Sequence, residues 1–106
     1  MNQTTKPRIV KNRRLKMSPG GIVTLPVSAR KALQMEKGKG RRVTLAIRDG
    51  AVVLAPAART GGFRVSPKGQ LALQGDARAL LAKGDGRHYW VELDDDASTV
   101  RLNPFA

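Results

Sequence analysis

The chain has 106 residues, near the commonest size of a single domain, with a formal net charge of +12 and only 4% aromatic residues. It contains no cysteine, which excludes disulfides and thiolate metal sites, and no apolar run that would make a membrane helix or a secretory signal. A soluble cytoplasmic protein with a polyanionic partner is expected.

Residues 1–14 carry Lys6, Arg8, Lys11, Arg13 and Arg14 and no acid. Such a segment cannot bury enough surface to fold alone, although Ile9–Val10 can pair locally. It reads as a basic flexible arm that tracks phosphates, with Arg13 and Arg14 at its end. Strand, tight turn and strand follow. Pro19, Gly20 and Gly21 signal the turn, and Ile22–Leu25 has the β-branched and apolar character of a short buried strand. Pro26 interrupts that strand and suits the first turn of a helix; Ser28 is the other candidate for its start. Ala29, Ala32 and Leu33 favour the helix, on which Arg30 and Lys31 stand side by side.

Gln34–Arg42 reads as a loop, with Gly38 and Gly40 interleaved with Lys37, Lys39, Arg41 and Arg42. The full GxxxxGK[ST] pattern of a phosphate-binding loop is absent, so a plain basic turn is the better reading. Val43, Leu45 and Ile47 alternate with Thr44, Ala46 and Arg48, the period of a half-buried strand. Asp49-Gly50 is a hairpin signal, Ala51–Ala55 is the return strand, and Pro56 ends it.

This unit then comes back. Forty-eight residues on, Ser66, Pro67, Gly69, Leu73, Ala77, Arg78 and Leu81 reproduce Ser18, Pro19, Gly21, Leu25, Ala29, Arg30 and Leu33. The register continues without a gap through Val43/Val91, Leu45/Leu93, Val52/Val100, Leu54/Leu102 and Pro56/Pro104. Residues 15–56 and 63–106 are therefore one supersecondary unit used twice, joined by a linker over 57–62. Each copy is too small to be comfortable alone, so the two are expected to share one core.

The charge does not repeat. The first unit has eight cations against Glu36 and Asp49, whereas the second has six cations and six acids. A field concentrated in one half suggests a polyanion-binding face rather than a solubility device. Where the first unit has Arg41-Arg42 the second has Tyr89-Trp90, read as packing residues rather than as a base-stacking platform. With Leu93 they leave the second unit available for self-association. No enzyme is expected. His88 is the single histidine, the acids gather in one turn, and Asp94-Asp95-Asp96 reads as a solvated hairpin tip rather than a cation site. Neither cofactor nor metal is expected.

The order strand, G-x-[VI]-x-[LI]-P, basic helix, loop and hairpin resembles the AbrB/SpoVT family of DNA-binding domains. GIVTLPVSARKAL at Gly21–Leu33 is close to its signature, and RRVTLAIRDGAVVLAP at Arg41–Pro56 looks like its closing hairpin. Two copies in one chain are similar to the arrangement in MraZ, whose own motif is not evident here. The resemblance implies a mainly β fold with short helices, in which two swapped-hairpin β-β-α-β-β units form one small pseudo-twofold β-barrel. It implies a bacterial-type transcriptional regulator that binds double-stranded DNA, hence nucleoid association, through Lys16, Arg30 and Lys31, and through Arg64 and Arg78 of the second unit. Lys37, Lys39, Arg41 and Arg42 add charge on the following loop. The arginine usual just after the turn glycine is Ile22 here and Gln70 in the second copy. An alternative in the same family is an antitoxin-type module that binds a toxin or other protein and also represses its own promoter.

Overall fold

Each unit starts on the same three-residue turn. In the first, Ser18 donates its N–H to the Ile22 carbonyl and Gly21 donates to the Ser18 carbonyl, both at 2.9 Å; in the second, Ser66 to Gln70 and Gly69 to Ser66 do the same at 2.9 and 2.8 Å. Serine opens such a turn, proline presets its next position, and a left-handed residue closes it. Gly21 and Gly69 take that conformation, with φ of 88° and 83°. The serine hydroxyls accept a further bond from the N–H of Ile22 and Gln70.

The computed structural model describes residues 8–9, 15–36, 38–57, 62–83, 85–94 and 97–105. Strands β1 (Arg8–Ile9), β2 (Leu15–Lys16) and β3 (Ile22–Thr24) lead into helix α1 (Val27–Ala32), then β4 (Arg41–Arg48) and β5 (Ala51–Pro56). The second unit repeats the order as β6 (Phe63–Val65), β7 (Gln70–Ala72), α2 (Gly75–Ala82), a short 3-10 turn at Asp85–Arg87, β8 (His88–Asp94) and β9 (Thr99–Pro104). The fold is mainly β with few short helices, and its principal sheet curls into a half-barrel. Helix α1 begins directly after Pro26, which occupies the capping position; Ser28 lies inside the helix instead. The arm is not wholly outside the sheet, because Arg8 and Ile9 lie antiparallel to Leu93 and Glu92.

Strand pairing crosses between the two units: β2 pairs with β8, β6 with β4, and β3 with β7. β5 and β9 join the two closing hairpins into one sheet in the order β1-β8-β9-β5-β4-β6. In the β3–β7 and β5–β9 pairs a residue faces its own repeat counterpart, Val23 opposite Leu71 and Val53 opposite Arg101. The opening hairpins are less regular. Arg41 faces Val65 on one side, but on the other Tyr89 faces Leu15 rather than Met17, a two-residue difference. There Arg87, at φ 63°, holds Met17 from both sides, its carbonyl accepting the Met17 N–H and its Nε donating to the Met17 carbonyl.

The repeat anchors are the core. Leu25 and Leu73, Val43 and Val91, Val52 and Val100, and Leu54 and Leu102 are all buried, together with Met17, Val65, Leu33 and Leu81. No polar or charged residue is buried among the described residues. The β4–β5 hairpin closes through Asp49 and Gly50, both at positive φ, as the two-residue turn of that twist requires. β8 and β9 are joined by a longer loop in which Asp94 Oδ1 accepts the Ala97 N–H at 3.1 Å; Asp95 and Asp96 lie outside the described residues.

The turn glycines make a sharp test. A Cβ at Gly69, at φ 83°, would run into the Arg30 guanidinium and lie 3.0 Å from the Leu25 carbonyl, whereas a Cβ at Gly50 would meet nothing. Gly69→Ala is expected to cost about 2–4 kcal/mol, and Gly50→Ala about 1 kcal/mol for its φ alone. Urea unfolding of both variants measures the difference.

Candidate nucleic-acid interface

The cations that the family resemblance singles out do not share one role. Arg30, in the last turn of α1, is half-buried and donates its Nε to the Leu25 carbonyl at 3.0 Å. Its guanidinium stands over Gly69 of the other unit. Arg78 on α2 does the reciprocal thing. It donates to the Pro19 carbonyl at 2.9 Å, and its stem lies against Gly21. Each helix arginine thus clasps the turn of the opposite unit, which ties both side chains to the fold. Lys16 on β2 and Lys31 on α1 remain exposed. Lys39 is exposed too and pairs with Glu36 at 3.1 Å, a solvated contact that contributes little to stability. Among the described residues the other ion pair is Arg101 with Glu92.

A second group of cations is assembled by the pairing of β4 with β6. Arg41 and Arg42 open β4, and β6 runs antiparallel beside them with Arg64 directly opposite Arg42. Gly40, Arg41, Arg42, Ala57 and Arg64 line a cleft of about 440 Å³ that no acid among the described residues enters. Gly40 lets β6 come close, since a Cβ there would lie 2.6 Å from the Val65 carbonyl. Arg42 donates to the Gly62 carbonyl at a long 3.3 Å, and Ala57 donates its N–H to the Arg42 carbonyl at 2.9 Å. The Arg41 Nε is buried with no hydrogen-bond partner. Sequence reasoning assigns Arg64 to the second unit and Arg41 and Arg42 to the first. The register brings the three together, and only knowledge that the opening strands cross between units could have found this. Arg13, Arg14 and Lys37 lie outside the described residues.

The aromatic pair divides. Tyr89 is buried and donates its hydroxyl to the Thr24 carbonyl at 3.2 Å, while Trp90, next on β8, is half-buried. Leu93 is buried as well. The sequence offers Tyr89, Trp90 and Leu93 together for self-association, but the core of this chain already takes two of them. Trp90 alone of the three keeps surface to offer.

No family model, curated protein or solved structure matches this chain. No helix among the described residues is long and apolar enough to cross a membrane.

Burial pushes the Tyr89 phenol up from 10.0 to about 12, and the bond to Thr24 only partly offsets it. The raised value means that folding keeps the proton on. Its contribution is therefore whole below pH 10 and is lost as pH rises from there through about 12. Stability measured by urea titration is expected to fall steeply across that alkaline window, and Tyr89→Phe should remove much of the fall. At neutral pH the same variant should lose about 0.5–1.5 kcal/mol, the net worth of the hydroxyl's hydrogen bond.

Proposed function

We propose that this chain is a DNA-binding regulator of the AbrB kind, in which two swapped-hairpin units interlock about a pseudo-twofold axis and present one basic face to duplex DNA. The reciprocal arginine clasps and the counterpart-to-counterpart seams support the interlocked arrangement. The observation that carries the function is the state of the cations. Lys16, Lys31, Arg41 and Arg64 have no acid paired with them among the described residues, although the chain holds eight acids that could have neutralised some of its charge. A protein whose only need was solubility would gain nothing from drawing three arginines of two units into one cleft that no acid among the described residues lines. A polyanion provides the missing counter-charge.

On this reading the face reads phosphates first. Ile22 and Gln70, where a base-reading arginine is usual in the resembled family, leave little for direct contacts to base edges, so duplex shape carries more of the selectivity. Nucleoid association follows from the same charge.

Fluorescence anisotropy with random and promoter duplexes tests the proposal. With about six phosphates neutralised, affinity should drop roughly a thousandfold between about 50 and 200 mM salt. Lys16→Ala with Lys31→Ala should lower the affinity for every duplex and make the slope of log K against log salt shallower by roughly two. Binding that ignores salt would overturn the proposal.

A further inference from the structure

The cleft between β4 and β6 is built in a way that a solvated basic surface is not. Arg42 and Arg64 face each other directly across an antiparallel pair, and like charges so placed repel. Arg41, paired with Val65 and so turned to the strand face opposite Arg42, also borders this cleft and a second one that Glu36 and Lys39 line, and its Nε is buried and unpartnered. Among the described residues no acid lines the cleft, and Gly40 removes the side chain that would otherwise push β6 away. The facing charges of Arg42 and Arg64 have one remedy, an anion seated between their guanidinium groups, where planar forks can take two oxygens each.

We infer that Arg42 and Arg64, beside Gly40, form a phosphate clamp that closes on one tetrahedral phosphate group and couples its binding to the pairing of β6 with β4. The inference deepens the DNA-binding reading by assigning one backbone phosphate to a defined seat, but the clamp itself needs only the phosphate. Its occupant is a nucleic-acid phosphate or a free one. Because β6 belongs to one unit and β4 to the other, an occupied clamp also fastens the units together. Ligand that binds only the folded chain raises its stability by mass action, so the clamp predicts stabilisation by phosphate beyond any effect of ionic strength.

The test uses the full chain and inorganic phosphate, with chloride at matched ionic strength as the reference. Phosphate at roughly ten times its dissociation constant should raise the melting temperature by about 5 °C over chloride. Arg64→Gln, an exposed position that should fold normally, should reduce that increment to less than half, and Arg42→Gln with Arg64→Gln should abolish it. Lys83→Gln, on the end of α2 away from the cleft, removes the same unit of charge and should keep it. Broadening of the phosphorus NMR signal by wild-type protein, absent with the double variant, checks the site independently of melting. Equal effects of phosphate and chloride, or retention of the increment in the double variant, would sink the clamp.

A second arm separates the sources. In salt titrations with a duplex, the double variant should flatten the slope of log K by roughly one if the seat takes a backbone phosphate. Duplex binding with a normal salt slope but no phosphate increment would refute the clamp and leave the DNA reading standing. A phosphate increment with no duplex binding would uphold the clamp, name free phosphate as its ligand and refute the DNA reading.

Discussion

The structure depends on a close approach that only glycine permits. At Gly21 and Gly69 the backbone of one unit's turn comes within hydrogen-bond reach of the strand end of the other. Leu25 donates to the Gly69 carbonyl and Leu73 to the Gly21 carbonyl, each at 2.8 Å. These two bonds extend the β3–β7 pairing at both ends, since the three ladder positions between them are Ile22, Val23 and Thr24 against Ala72, Leu71 and Gln70. A side chain at either glycine would collide with the arginine stacked over it, and positive φ excludes most alternatives in any case. The serine, the proline and the arginine of each motif are arranged around that contact. What reads in the sequence as a turn followed by a basic helix is mechanically a junction between units.

From this junction follows the division of labour between the two copies. The core needs both to be alike, because Val52, Leu54, Val100 and Leu102 meet across one seam and Val23 meets Leu71 across the other. The surface has no such requirement and has diverged. The contrast is clearest at Arg41 and Tyr89, which hold equivalent places in the repeat. Tyr89 fills its place with an aromatic ring and gives its polar atom the Thr24 carbonyl. Arg41 leaves a buried nitrogen without a partner. One copy has satisfied its position internally, and the other holds a polar group in waiting.

Much of the fold is legible in the sequence because local chemistry demands it. Ser-Pro-x-Gly can make few turns, Asp49-Gly50 can make one hairpin easily, and the ungapped repeat by itself marks nearly every core position. Other features leave no local trace. A hairpin that closes on itself and one completed by another unit have the same alternation, so the partnership of β6 with β4 is hidden. Arg87 and Ser98 adopt positive φ without the glycine or asparagine that usually announces it. The β4 strand begins at Arg41, two residues before the alternation does, because Val65 pairs with it. The site suffers most. A cation stacked on a glycine and one pointing at solvent are indistinguishable in a sequence, so Arg30 and Arg78 look like the equals of Lys16 and Lys31.

That indistinguishability has a consequence for how a basic face is built on a small repeat. Arginine performs two tasks here through different parts of one side chain. At Arg30 and Arg78 it serves as a planar cover for a turn and a donor to a backbone carbonyl, using its stem and its fixed fork. Lysine could donate to a carbonyl but could not cover the turn, since its ammonium carries no plane to lay over a glycine. Neither clasp uses an acid to hold its guanidinium in place. In a chain with few acids this is economical: backbone carbonyls at Leu25, Pro19, Met17 and Gly62 take the hydrogen bonds that carboxylates would otherwise supply. Holding guanidinium groups on carbonyls rather than on carboxylates lets the protein fix its arginines in position and still present them as net positive charge.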